Sequence, residues 1–423
     1  MINSLLVSRP DPAHKNGSGR RTLGLVLSGG GARGAYEAGI LHYIRTMLPT
    51  KARLRPFDIH CGSSVGAINT CHLAATSHDM RRQGEEVRHL WENLRSDCIY
   101  RRDASALGGF LLESSKGIVR NFFKKSRKTS HFKGFLDTSP FLPYIEKLFP
   151  WDMISKNVEA GIVKAVSIVA TNVFTGRMEL FIEKHPGVEY TGQYIHHLVP
   201  IQPIHAKASA AIPLVFPSVL VDGIAYTDGG LRLNTPMSPA IQLGADSLLI
   251  IGLHHYAKPG EKVPFHGIKG HDPALGQVLG RVMNSIFLDR IQYDMEQLER
   301  INRIIDWGEE LCGKDFLKDL NAMLHKKKIK GDIANRGLKR LHVIRIRPSE
   351  DIGEIFGHVF RRGRDKMSAF EKFLIRFLDI DSSSGVDFLS YISFLPEYIK
   401  KLLDLGFEDA RRHHNELKEF FEN

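Results

Sequence analysis

The 423-residue chain has no apolar run long enough to cross a bilayer. Its longest, Ser209 to Val221, contains Pro213 and Pro217 and falls short of the roughly 18–20 residues that a span needs. Cysteine is scarce: Cys61, Cys71, Cys98 and Cys312 show neither the spacing of metal ligands nor the density of a disulfide scaffold, and they suit a reducing compartment. A leader is not read at the N-terminus. Arg20-Arg21 precede only about six apolar residues, fewer than the roughly 7–15 of a signal-peptide core. That run reads as a first strand, and residues 1–22 as a mobile tail. No Asp/Asn-rich loop of the EF-hand type is present, and no Gly-Lys-Ser/Thr closes the glycine-rich stretch as a Walker loop would require. No internal repeat is found. Acidic residues are outnumbered, 47 against 58 Lys and Arg, giving a net charge of +11. No nucleic-acid-binding module accompanies that charge, so nucleic acid is not an expected partner. An apolar content of 43% with 25% charged residues is that of an ordinary globular protein.

What is present is concentrated in three places. Leu23 to Leu27 reads as a buried strand, followed by Ser28-Gly29-Gly30-Gly31-Ala32-Arg33-Gly34 and a helix over Ala35–Met47. Glycine tolerates φ > 0 and has no Cβ, so such a turn lets backbone N–H groups converge on one anion. Next, Phe57–Cys61 reads as a strand leading into Gly62-Ser63-Ser64-Val65-Gly66, a G-x-S-x-G match that sets a serine on a sharp strand-to-helix turn. Third, Asp222-Gly223 lies between two apolar runs and predicts a hairpin turn, while Asp228-Gly229-Gly230 ends the second of those runs. Each signal has a blander reading. Gly29 to Gly34 fits the G-x-G-x-x-G of a dinucleotide fold, although the acidic residue this requires near the end of a second strand is missing: Asp58 opens its strand instead. Asp228 also reads as one more turn aspartate.

In this order the three segments resemble the patatin-like phospholipases. Gly29-Gly30-Gly31-Ala32-Arg33-Gly34 is similar to that family's oxyanion-hole loop, Gly62-Ser63-Ser64-Val65-Gly66 to its nucleophile elbow, and Asp228-Gly229-Gly230 to its Asp-Gly-Gly motif. Ala208 to Pro217 and Asn234-Thr235-Pro236 match as well, and the resemblance runs over roughly residues 23 to 254. It implies that Ser64 is the nucleophile, that Asp228 is the base of a Ser–Asp dyad, and that Gly29, Gly30, Gly31, Arg33 and Gly34 form the oxyanion hole, with Gly62 and Gly66 flanking the elbow.

The chemistry of the residues is compatible with that reading. A serine hydroxyl is a weak nucleophile until a neighbouring base takes its proton. Among 20 histidines none is placed as an obvious triad member: His60 sits within a strand, His205 precedes an Ala-rich helix, and His254-His255 follow the strand Leu248–Leu253. A carboxylate base needs shielding from water to gain basicity, so Asp228 is expected to be buried. The N–H groups of Gly30 and Gly31, with that of Arg33, are the expected oxyanion donors. The Arg33 guanidinium has two readings, one aimed at a substrate phosphate and one bound to a nearby carboxylate that stiffens the loop. These parts leave no task for a metal, and no cofactor is expected.

Strands and helices alternate: helices at Val65 to about Thr76 and Met80 to about Leu94, strands at Val163–Asn172, Met178–Ile182 and Leu341–Ile346. This predicts a three-layer α/β/α sandwich with a mostly parallel central sheet. Residues 23–254 are read as the catalytic domain and 255–423 as a mainly helical C-terminal region, with apolar i, i+3/i+4 spacing over Met367–Leu378 and Tyr391–Leu405. Within the first, residues 99–135 interleave Phe110, Phe122 and Phe123 with Lys124, Lys125, Arg127 and Lys128, and are expected to form a basic flap on an anionic membrane surface. A lipid or phospholipid substrate and a cytoplasmic protein with peripheral membrane contact follow. Two other classes stay open: a nucleotide-binding protein using the Gly29–Gly34 loop, and an inactive lipid-binding scaffold.

Overall fold

The computed structural model describes residues 20–102, 134–255, 272, 275–287, 291–326, 338–363, 369–377, 380 and 386–422. Residues 1–19 of the expected tail and residues 103–133 of the expected basic flap lie outside the described residues.

The first strand, β1 (Leu23–Leu27), is apolar and buried on both faces, the pattern of a parallel strand covered by helices on either side. It lies at the centre of one sheet. β2 (Ile59–Ser63) pairs with it in parallel on one side and β8 (Ser247–Ile251) on the other. β3 (Ala165–Asn172) continues parallel beside β2, and β9 (His342–Ile346) beside β8. β4 (Met178–Lys184) turns back antiparallel on β3, and β5 (Ile195–Leu198) follows it. A hairpin of β6 (Val219–Val221) and β7 (Ile224–Asp228) joins through β7, which runs antiparallel to the far end of β3. Its turn residues Asp222 and Gly223 both have positive φ, 49° and 81°, as a tight Asp-Gly turn requires.

Alternation along the strands sorts the core into two layers. Leu23, Leu25 and Leu27 face the helices Ala35–Met47, Val65–Ala75 and Pro396–Arg412, whereas Val26, Ile59, Cys61 and Ile250 face the helix Met237–Gln242. The result is the expected α/β/α sandwich with a mostly parallel sheet. The C-terminal residues are largely helical, and they are built into this body: β9 extends the sheet, and Pro396–Arg412 lies along Ala35–Met47.

Several expected boundaries shift by a residue or two, and two of the differences have a local cause. The second strand begins at Ile59 rather than Phe57, because Asp58 is spent on β1, its carboxylate accepting the Leu23 N–H at 2.8 Å. The apolar spacing over Tyr391–Leu405 belongs to two helices, Val386–Ile392 and Pro396–Arg412. Leu395 is extended ahead of Pro396, which opens the second helix where its missing N–H is no loss. Among the described residues no helix is long and apolar enough to cross a membrane.

Candidate active site

The sheet itself brings the distant motifs together. β2 covers β3 only as far as the pair Ser63–Val169. Strand β3 is longer, and its next residue, Ala170, pairs with Asp228 of β7. The residue after β2 and the last residue of β7 therefore meet on the same edge of β3, although 164 positions separate them.

At this point Ser64 turns the chain with φ 53° and ψ −126°, a conformation costly for a residue with a side chain, and the helix Val65–Ala75 starts directly behind it. Its Oγ donates to Asp228 Oδ2 at 2.5 Å, and its N–H donates to Ser209 Oγ at 2.9 Å. Gly62 and Gly66 lie where helix and strands touch, Gly66 against the Leu27 carbonyl. The other oxygen of Asp228, Oδ1, accepts the Gly230 N–H at 2.7 Å. The carboxyl is fully buried, and that desolvation raises its pKa to about 7 against the opposing hydrogen bonds from Ser64 and Gly230.

The glycine-rich loop runs beside Ser64: a Cβ on Gly29 would stand 2.9 Å from the Ser64 Cβ. Its donors are not equivalent. The Gly29 N–H is spent on Asn234 O at 3.2 Å, and the Arg33 N–H on Gly30 O at 3.2 Å. Gly30 and Gly31 precede the first hydrogen bond of the short helix Gly31–Gly34, so their N–H groups have no helical acceptor. Gly31 adopts φ 57°, with the Tyr391 carbonyl packed where a side chain would go, so only glycine fits there. Gly34 packs on Val65 and Trp91.

Arg33 is placed away from Ser64. Its buried guanidinium donates to Asp387 Oδ1 at 2.5 Å and to Ser390 Oγ at 2.7 and 3.0 Å, and lies 3.8 Å above the Tyr391 ring. Of the two readings of this side chain, the geometry gives the carboxylate partner. With its backbone N–H bound to Gly30 O as well, Arg33 offers the loop stiffness rather than a main-chain oxyanion donor.

None of the histidines weighed from the sequence is hydrogen-bonded to Ser64 or Asp228. The His60 Nε2 contacts Phe57 O at 3.1 Å, and burial depresses its pKa to about 3. His205 Nδ1 accepts the Gln202 N–H within its own helical cap and stacks on Phe181. His255 Nδ1 contacts Pro348 O, and burial lowers the pKa of His254 to about 4. Among the described residues no three His, Cys, Asp or Glu side chains converge as metal ligands.

Ser64 and Gly31 open onto a cleft lined by apolar side chains, among them Ile68, Leu90, Trp91, Ile145, Phe216 and Phe394. A buried polar chain braces one wall. Trp91 Nε1 donates to Asn69 Oδ1 at 2.9 Å, and Asn69 Nδ2 donates to Glu37 Oε2 at 2.8 Å and Gly34 O at 3.2 Å. Burial lifts the Glu37 pKa well above the usual carboxyl value, which Asn69 and Ser28 only partly oppose. Sequence reasoning missed Glu37, Asn69, Asp387 and Tyr391. The one signal was a lone acid inside an otherwise buried helix.

A family model described as patatin-like phospholipase matches residues 25–241. A cGAMP-activated phospholipase of Pseudomonas aeruginosa is 29% identical over 217 residues, which cover 50% of this chain and 53% of that protein. The chain thus aligns with about half the length of this curated relative. The crystal structure of VipD from Legionella pneumophila aligns over 95% of this chain and 69% of its own, at 13% identity and a TM-score of 0.33, a likeness too slight to argue from.

Proposed function

The chain belongs to the patatin-like phospholipase family, and from that premise we propose that it is a serine lipid acyl hydrolase in which Ser64 attacks and Asp228 is the base. The observation that carries this reading is the 2.5 Å hydrogen bond from Ser64 Oγ to a buried carboxylate at the mouth of an apolar cleft. An acyl chain occupies the cleft and sets its ester carbonyl against Ser64. Asp228 takes the Oγ proton as Oγ bonds to the carbonyl carbon. The carbonyl oxygen, now negative, rests against the N–H groups of Gly30 and Gly31 at a helix N-terminus. Collapse of this intermediate breaks the ester C–O bond, and Asp228 passes its proton to the departing alcohol oxygen. Water then attacks the acyl-Ser64 ester, with Asp228 again accepting a proton, and the fatty acid leaves as Oγ is reprotonated.

The polar groups at the cleft are few and the walls apolar, which suits an acyl chain better than the sugar and base of a nucleotide. The intact pair Ser64 and Asp228 favours an enzyme over an inactive scaffold. Residues 23–254 would hold the reacting groups, while residues 255–423 brace the loop through Asp387, Ser390 and Tyr391.

The test is a panel of phospholipids, lysophospholipids, glycerides and short esters, offered to purified protein with and without cGAMP. Ser64→Ala is the control. Fatty acid released by the native chain and not by Ser64→Ala supports the reading and fixes the substrate class and cleavage position. Equal release from both proteins refutes it.

A further inference from the structure

Two neighbouring turns carry apolar side chains into solvent, where turn positions are normally polar. Strand β3 runs on past Ala170, the partner of Asp228, and ends in the turn Val173-Phe174-Thr175-Gly176. Phe174 is 79% exposed and Val173 47%. Alongside, the β6–β7 hairpin presents Leu220, 66% exposed, and Ile224, 37% exposed. The Val173 N–H donates to Ala225 O at 2.9 Å, so the two turns form a single two-pronged tip.

The position of this tip is what gives it meaning. The parallel strands β1 and β2 deliver the glycine loop and Ser64 at their C-terminal ends, and β3 points the same way. Val173 lies three residues beyond Ala170, so at about 3.3 Å per residue the tip projects about 10 Å past the level of Asp228. The half-exposed loop residue Leu214 is flanked in sequence by the cleft-lining Ile212 and Phe216.

We propose that this tip, led by Phe174 and Leu220, inserts into the headgroup boundary of a lipid bilayer and holds the catalytic edge against it. The proposal rests on the lipid-hydrolase reading for its choice of partner. Two hairpin ends with large apolar side chains at or beside their turns suit a soft layer that closes around each prong. The exposed charges of the tip, Arg177 and Asp222, offset each other locally. The chain's net charge of +11 supplies the longer-range attraction to anionic lipid.

The experiment uses the full chain, vesicles of phosphatidylcholine with and without phosphatidylglycerol, and a soluble short-chain ester. Both side chains are exposed, so the double variant Phe174→Ser, Leu220→Ser should fold, and its melting temperature checks this. Loss of one buried apolar side chain is worth about a factor of ten in partition. The double variant should therefore bind vesicles at least tenfold more weakly and hydrolyse vesicle lipid correspondingly slowly, while cleaving the soluble ester at the native rate. In a Phe174→Trp variant the added indole emission should shift to the blue when vesicles are added. Native vesicle binding by the double variant overturns the proposal. So does a double variant that loses self-association, or capture of a protein partner, while binding vesicles normally. If the native chain binds vesicles through this tip but cleaves neither lipid nor ester, the docking stands and the hydrolase reading fails.

Discussion

At the residue scale the account rests on what burial does to two carboxyl groups. Asp228 has its pKa raised to about 7, from an ordinary value near 4. Only its ionised form accepts the Ser64 proton. We therefore expect kcat/KM on a soluble ester to rise about tenfold per pH unit below 7 and to level off above it. Asp228→Asn should lower kcat by several orders of magnitude and abolish that rise. The same shift predicts a stability effect of definite sign. The folded state holds the Asp228 proton more tightly than the unfolded chain, so this group's contribution is favourable below pH 4 and is lost as pH climbs through 7. The melting temperature of Asp228→Asn relative to the native chain should therefore increase between pH 4 and pH 8, and a constant difference would contradict the assignment. Glu37 is buried against Asn69, between the glycine loop and Trp91, and burial raises its pKa well above the usual carboxyl value. Glu37→Gln, which keeps shape and polarity, should retain most activity. Glu37→Ala removes the shorter of the two acceptors of Asn69 Nδ2 in a buried site and should cost about 1–3 kcal/mol of stability by thermal melting. Ser64 and Asp228 were legible because each sits in a short motif with its own turn chemistry. Asp387, Ser390 and Tyr391 were not, because no local pattern links them to Arg33 more than 350 positions away.

At the scale of elements, what could be read was what local physics decides. β1 and the helix Ala35–Met47 have the expected bounds because an apolar run and a glycine cluster delimit them. The hairpin at Asp222-Gly223 forms because that dipeptide takes positive φ at little cost. What could not be read was register. That β3 outruns β2 and so offers Ala170 to Asp228 depends on pairing between strands far apart in sequence. The break between Ile392 and Pro396 was hidden because helical spacing on both sides is in phase. The crossing of Ala35–Met47 with Pro396–Arg412 is equally non-local. Gly39 meets the Leu403 backbone and Gly406 meets the Tyr36 carbonyl, so the two helices touch main chain to main chain. Gly406→Leu should force them apart and destabilise the protein by about 1–3 kcal/mol, measured by chemical denaturation. An unchanged midpoint would show that the crossing relaxes freely.

At the scale of the molecule, the C-terminal region belongs to the site. Asp387 and Ser390 hold Arg33, Tyr391 roofs Gly31, and Asn234 reaches the Phe287 carbonyl at 2.9 Å. The glycine loop is thus gripped by helices from the other end of the chain. Arg33→Ala should leave the dyad in place and loosen the loop, lowering kcat on a soluble ester more than it raises KM. The two substitutions that test the dyad converge on one direct measurement. Purified native chain, Ser63→Ala, Ser64→Ala and Asp228→Asn are treated with a fluorophosphonate, and the adduct is located by mass spectrometry of the intact protein and its peptides. The account predicts one adduct per chain on Ser64 in the native protein and in Ser63→Ala, none in Ser64→Ala, and slow labelling in Asp228→Asn. An adduct on Ser63, or labelling of Ser64→Ala at the native rate, would contradict it.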